Sequence, residues 1–352
     1  MKPYMNRIVL KNSVKAVRKA PLVSVLIWPI WAHANMSTVP DNHYPLPERG
    51  DIIGQNYQVI ANQEDTLIDI ARVHNVGYEE IRSANPDVSL WVPGEGTTVT
   101  IPRQHILPHV PRTGIVINVA ELRLYYYPDV SNDETPWVET YPIGIGREGY
   151  NTPLGITETT IRLENPAWYP PRSMREEAAA RGEPAPAVVP PGPENPLGDH
   201  AILLDIPGYL IHGTNQPDGI GMRASRGCIR MYPEDIESIF YNIPSGTQVN
   251  IIDQAIKVGG NEGGDAFVQV FKTVDTEQAN IDSLKAMLLS QSLAEEVELA
   301  MLENQRLNDL FEQPDDQIIS LSTFYQSQNE NDEEAIDMDI YQMITQIDQR
   351  HC

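Results

Sequence analysis

The run His212-Gly-Thr-Asn-Gln-Pro-Asp-Gly-Ile-Gly-Met-Arg-Ala-Ser-Arg-Gly-Cys228-Ile-Arg-Met231 decides how this chain is read. It starts at the end of an apolar, strand-like segment and contains one of only two cysteines; the other, Cys352, is the last residue. A lone internal Cys beside glycine, with a His upstream, suggests a nucleophile and its base, the Cys expected as a thiolate held by a protonated imidazole. Taken singly, each has a plainer alternative: a buried structural Cys and a satisfied core His. The glycines between them (Gly213, Gly219, Gly221, Gly227) let the backbone turn sharply and approach a substrate, which favours the catalytic reading. The amides of Gly227 and Cys228 are candidate oxyanion donors. Arg230 suits a forked grip on a substrate carboxylate or an ion pair with Asp235. Ser225, Asn215 and Arg226 stand beside it as substrate-side residues. The first two are expected mainly to shape the loop. Arg226 either raises the positive potential near the sulfur or points to solvent.

Working outward, strand signals surround this run. Residues 114–120, 122–127, 138–143, 156–163, 201–204 and 209–212 are dominated by β-branched and aromatic side chains, with Gly, Pro, Asn and Asp between them. The pattern predicts a mainly β fold, a sandwich of several antiparallel strands over 113–253. One short helix follows Cys228 over 233–241, with proline and acids in its first turn. The nucleophile therefore belongs at a strand end or turn between sheet and helix. Residues 165–199 interrupt the strands with nine prolines and a short helical piece over 174–181. An insertion this long beside a candidate site serves as a lid or as a surface cover, and both readings stay open. Trp168 and Tyr169 are its candidate substrate contacts.

The ends differ from the middle. Residues 1–34 hold six Lys/Arg and no acid, then an apolar stretch (21–31) and Ala32-His33-Ala34, an A-x-A pattern. Eleven apolar residues fall short of the ~20 a spanning helix needs, so a cleaved export signal is expected. Without those six cations the formal net charge moves from −24 to −30, which argues against a nucleic-acid partner. Residues 35–52 read as a Pro-rich polar linker. Residues 254–352 form an acidic extension, five Lys/Arg against twenty Asp/Glu. Apolar residues recur there at helical spacing from Ile281 to Phe311 and from Ile336 to Ile347, after a glycine hinge at Gly259-Gly260 and Gly263-Gly264, with 326–334 expected to be disordered. Such helices need a surface to cover: their own core, a twin subunit or another envelope protein. Two cysteines make no disulfide scaffold, and the eight histidines form no His-Glu-x-x-His, so no metal or other cofactor is expected.

Residues 53–102 predict strand, helix, helix, strand. Tyr57, Val59 and Ile60 suit a strand, and Asp65-Thr66 offers an N-cap ahead of Leu67, Ile70 and Ala71. A second helix ends before Pro86, and 97–101 form the closing strand. Asp65-Thr66-Leu67, Asn75-Val76, Asn85-Pro86, Val92-Pro93-Gly94 and Ile101-Pro102 resemble a LysM module, which implies binding to the N-acetylglucosamine backbone of peptidoglycan. A degenerate spacer on the same fold is the alternative.

His212, Ser225, Gly227, Cys228, Ile229 and Arg230 resemble the motif of the YkuD-domain L,D-transpeptidases, over about 114–253. Arg226 departs from it, standing where most members have a second His. The likeness points towards periplasmic enzymes of Gram-negative bacteria that attach the major outer-membrane lipoprotein to peptidoglycan. It implies a YkuD-type β-sandwich, Cys228 as nucleophile, His212 as base and acid, the Gly213 carbonyl orienting that imidazole, and a substrate role for Arg230. Cys228 would cleave the diaminopimelate–D-alanine bond of a tetrapeptide stem. The resulting thioester would pass to an amine, either a second stem peptide (a 3→3 crosslink) or a C-terminal lipoprotein lysine. A carboxypeptidase on the same fold would use water instead. A wall-binding protein with a decayed site is the non-enzymatic alternative, disfavoured because Cys228 and His212 are both present. Sortases also use Cys, His and Arg, but their Thr-Leu-x-Thr-Cys signature is absent.

Overall fold

The computed structural model describes residues 42–130, 135–147, 149–263, 265–272, 310–312 and 314–321, all within one compact unit. The expected export signal, most of the periodic positions after Ile281, and Cys352 lie outside the described residues. Strands dominate the rest, and its fully described α-helices are α1 (Leu67–Val73), α2 (Tyr78–Ala84), α3 (Arg172–Ala180) and α4 (Pro233–Phe240). No helix among the described residues is long and apolar enough to cross a membrane.

Nine strands make one sheet, in the order His43–Pro45, Trp137–Pro142, Arg123–Tyr127, Gly114–Asn118, Gln248–Ile252, Gly155–Glu164, His200–Leu204, Leu210–His212, Ile229–Arg230. The ten-residue strand Gly155–Glu164 links its halves. Its first part pairs with Gln248–Ile251 and its last part with His200–Leu204, with a register shift between Thr159 and Arg162. A bulge of this kind bends a strand. Side chains from both halves, among them Ile115, Leu124, Ile202, Ile211, Ile229 and Ile251, meet with Ile236 and Ile239 of α4 in one cluster. The expected sandwich is thus a single sheet whose two halves share a core. Three pairings depart from the expected antiparallel pattern: Gln248–Ile252 with Gly114–Asn118, Leu210–His212 with Ile229–Arg230, and, outside this sheet, Arg223–Ser225 with Ile145–Gly146 are parallel. Each fully buried Ile or Leu contributes about 1.5–3 kcal/mol, so core packing can carry the stability that disulfides do not.

Strand alternation gives the sheet a second apolar face. Leu124 and Tyr126 join the main core, while Tyr125 and Tyr127 pack with Val116, Val138, Tyr44, Ile53 and Leu107 on the other side. The stretch read as linker is therefore structured from Asn42 on. His43–Pro45 pairs with Trp137–Glu139, and Ile52–Ile53 pairs with His105–Ile106.

The segment 53–102 forms the expected strand–helix–helix–strand unit, with Tyr57–Ile60 antiparallel to Thr98–Ile101. Thr66 caps α1: its Oγ1 accepts from the Asp69 amide at 3.0 Å, and the Asp69 carboxylate accepts from the Thr66 amide at 3.1 Å. Asn75, in the left-handed region at φ 53°, ends α1, with Val76 N–H reaching Ala71 O and Asn75 N–H reaching Arg72 O. This is a Schellman closure, which asparagine tolerates.

That unit is stitched to the remainder. Tyr78 and Glu79 amides at the start of α2 donate to the carbonyls of Ile220 and Gly221 in the His212–Cys228 run. A Cβ on Gly221, at φ +80°, would lie 2.2 Å from Tyr78 N, so glycine is required there. Arg123, 1% exposed, forks onto Glu80 at 2.7 and 2.8 Å. Arg72 forks onto Glu234, and Asn75 Nδ2 donates to Asp235 at 2.5 Å.

The acidic extension starts as sheet. Ile256–Gly260, Ala266–Val270 and Ile319–Ser320 form three antiparallel strands, so Gly259-Gly260 is buried strand and not a hinge. A Cβ on Gly259 would stand 2.8 Å from Asp51 Cβ and from Ile106 Cγ2. Lys257 is fully buried and bonds Glu121 at 2.5 Å, fastening this sheet to the body.

Candidate active site

The parallel pairing of Leu210–His212 with Ile229–Arg230 builds the site. Ile211 faces Ile229 and His212 faces Arg230, and both isoleucines enter the core. Period-two alternation turns the intervening residues the other way, so Leu210, His212, Cys228 and Arg230 share one face. All four line a cavity of about 530 Å³, with Trp168, Tyr169, Met174 and Leu197 from the insertion. Sequence reading places Ser225 and Arg226 there too, and both line it. Asn215 does not: it is solvent-exposed on the loop after Gly213 and stands outside the cavity wall.

His212 Nδ1 donates to the Gly213 carbonyl at 2.6 Å, which leaves the Nε2 lone pair as the base. Burial pulls this imidazole down to about 4, helped by Arg230 and opposed by the Gly213 and Leu197 carbonyls. Burial pushes the Cys228 thiol up, against the Leu210 amide and Arg230, which favour thiolate. Both shifts favour a neutral thiol and a neutral imidazole at rest. This differs from the sequence expectation of a thiolate held by imidazolium, because a buried site penalises both charges. Cys228 Sγ donates to the Gly208 carbonyl at 3.7 Å.

Gly227 sits at φ +105°, and a Cβ there would come within 3.0 Å of the Tyr209 ring. Its amide, a candidate oxyanion donor, is engaged: it donates to Ser225 Oγ at 3.2 Å, while Ser225 Oγ donates to the Cys228 carbonyl at 2.7 Å. Ser225 Oγ thus bridges the two residues of the turn. Arg230 makes no ion pair with Asp235, which accepts from Asn75 instead. Its Nε is buried without a partner, and burial lowers its basicity.

The two open readings of Arg226 give way to a third. Its guanidinium forks onto Glu177 of α3 at 2.6 and 3.1 Å and lies 4.9 Å from the Tyr150 ring centroid. The residue two before the nucleophile thus moors the insertion. Trp168 and Val189 exchange backbone bonds at 2.9 and 2.8 Å, and the buried Asn195 donates to Pro166 O at 2.8 Å, so the insertion is a folded wall of the cavity. Sequence reading missed Tyr150, Glu177, Arg147 and Tyr209. None carries a motif: only the fold brings Tyr150 and Glu177 to Arg226, Arg147 to the cavity and Tyr209 to Gly227. Among the described residues no cluster of His, Cys, Asp or Glu suits a metal ion.

A free cysteine, a buried imidazole held by a backbone carbonyl, and an unpaired arginine in one cavity define a thiol-dependent acyl-transfer enzyme. Residues 112–251 match the L,D-transpeptidase catalytic domain, YkuD. The chain is 43% identical over 258 residues to the probable L,D-transpeptidase YcfS of Escherichia coli K12, covering 72% of this chain and 79% of that one. It is 43% identical to probable L,D-transpeptidase ErfK/SrfK of the same strain, covering 68% and 77%. For the probable L,D-transpeptidase YbiS the identity is 40%, over 70% and 80%. The chain belongs to the L,D-transpeptidase family and is a cysteine-dependent member of it.

Proposed function

We propose that the enzyme cleaves the bond between the L-centre of diaminopimelate and the terminal D-alanine of a peptidoglycan tetrapeptide stem, and passes the acyl group to an amine. The observation that carries this is the shared face of Cys228, His212 and Arg230, with the arginine unpaired in a donor-sized cavity. His212 takes the thiol proton as Cys228 Sγ attacks the carbonyl carbon. The Cys228 amide answers the developing oxyanion, joined by Gly227 once that amide leaves Ser225 Oγ. The imidazolium then protonates the D-alanine nitrogen, and the C–N bond breaks to leave a thioester. An entering amine loses a proton to His212, attacks the thioester carbonyl and restores the thiol. Arg230 grips a carboxylate of the donor stem, and Trp168 and Tyr169 flank it.

Export to the periplasm on residues 1–34 fits this substrate. The unit 53–102 acts as a LysM-like glycan contact, with Trp91 and Val92 exposed as an apolar surface. The acceptor is a stem peptide or a lipoprotein lysine, and the acidic extension offers a surface to another envelope protein.

Mass spectrometry of muropeptides tests the reading, after incubating the protein with tetrapeptide-rich peptidoglycan and a lysine-ended peptide. Loss of D-alanine with gain of the peptide or of a 3→3 dimer is expected. Loss of D-alanine alone would mean water is the acceptor, and no change would end the proposal.

A further inference from the structure

The wall of the Cys228 cavity is cationic. Its described residues include Arg147, Arg226 and Arg230 and no Asp or Glu. The chain has 25 Lys and Arg against 49 Asp and Glu, so this wall runs counter to the composition. Burial favours the neutral forms of His212 and Cys228, and Glu177 neutralises Arg226 at 2.6 Å. The charge facing the cavity is therefore that of Arg230 and Arg147, neither of which makes an ion pair among the described residues.

Arg147 is exposed, yet both its backbone and its side chain are held. Its amide donates to the Ser225 carbonyl and its carbonyl accepts from the Tyr150 amide, each at 2.9 Å. Its guanidinium lies 5.0 Å from the Tyr150 ring centroid, the same ring that Arg226 meets at 4.9 Å. A Cβ on the neighbouring Gly146 would stand 1.8 Å from Tyr150 O and 2.9 Å from Gly227 Cα, so this turn packs on the residue before the nucleophile. A side chain held in advance loses less freedom when it binds. Strand register gives its side of the site. Ala201 pairs with His212, His212 with Arg230, and Gly144 bridges Arg230 on the far side before the chain runs through Ile145–Gly146 to Arg147. Both unpaired arginines thus belong to one side of His212, while Ala201 and its register partner Leu163 make the other side apolar.

We infer that Arg147 holds a second carboxylate of the acyl donor, beyond the one that Arg230 grips. The inference rests on the tetrapeptide stem as donor. Such a stem carries carboxylates on its isoglutamate, at the D-centre of its diaminopimelate and on its terminal D-alanine, so it can meet two guanidiniums at once. Arg147 thereby selects a donor that keeps both charges over one in which the distal charge is masked as an amide.

Release of the terminal residue from a soluble tetrapeptide, and from three analogues each amidated at one of those carboxylates, tests this with wild type and Arg147→Gln. The variant should raise KM for the parent peptide about fivefold, as fits an ion pair at an exposed rim, with kcat within about twofold. On one analogue the two proteins should share the same KM, because the charge that Arg147 holds is already gone, and that analogue names the carboxylate. Arg147→Lys keeps the charge without the fork. It should show a smaller rise in KM with the same pattern across the analogues, and it serves as the second variant if the first fails to fold. An equal KM ratio between variant and wild type on all four peptides would overturn the inference, since Arg147 would then act only through the turn it shares with Tyr150. So would unchanged KM throughout. No release from any peptide by wild type would remove the tetrapeptide reading itself, and this inference with it.

Discussion

At the residue scale, burial shapes the chemistry of Cys228 and His212, because it disfavours thiolate and imidazolium alike. The thiol must lose its proton to His212 as it attacks. Alkylation of Cys228 by iodoacetamide should therefore rise steadily with pH, without the plateau at about pH 6 that a resting ion pair would give. Such a plateau would show that the pair is ionised at rest. Arg230 favours thiolate and disfavours imidazolium, so Arg230→Ala should slow alkylation at about pH 8, roughly threefold or more. If it also grips a substrate carboxylate, the same variant should raise KM about tenfold to a hundredfold, equivalent to about 1.5–3 kcal/mol. An unchanged KM would return Arg230 to a purely electrostatic role. Cys228→Ala should abolish turnover while leaving the circular dichroism spectrum intact, and retained turnover would remove Cys228 as nucleophile.

Elements show how the cavity is walled. Helix α3 buries only Ala178, so its position over the site depends on the Arg226–Glu177 fork and on Tyr150. Glu177→Gln keeps the shape and removes the charge. KM for the donor should rise several-fold with kcat little changed, and the difference from wild type should shrink in high salt as the charge pair is screened. Equal KM values for both proteins at low and high salt would show that the insertion holds itself in place. Helix α1 is set by its own caps, and Thr66→Ala should cost about 1 kcal/mol in urea unfolding.

Across the whole molecule, two buried groups couple the 53–102 unit to the sheet and α4. Glu80→Ala strands the buried Arg123 guanidinium, so a loss of about 3–5 kcal/mol is expected in denaturant unfolding. Asp235 is held up to about 7, mainly by burial, against an unfolded value of about 3.9. A pKa raised on folding adds stability below the unfolded value and loses it as pH climbs through the folded one. Asp235→Asn keeps an acceptor for Asn75 and cannot ionise. Its Tm relative to wild type should therefore rise between about pH 4 and pH 8; a constant difference would place the pH dependence elsewhere.

The strands, the N-cap of α1, the end of α2 before Pro86, and the Cys228–His212 pair were legible in the sequence because each rests on local rules. Alternating β-branched residues form strands, Thr66 ahead of an apolar run opens a helix, proline ends one, and a lone Cys among glycines marks a turn. Tertiary structure alone decided the rest. It made Arg226 a mooring for α3 and turned Gly259-Gly260 from an expected hinge into strand. It also sealed the 53–102 unit against Gly221 and left Arg230 unpaired. Each of these depends on which distant side chain arrives as a neighbour, and burial then sets the charge, pairing and freedom of the group it meets.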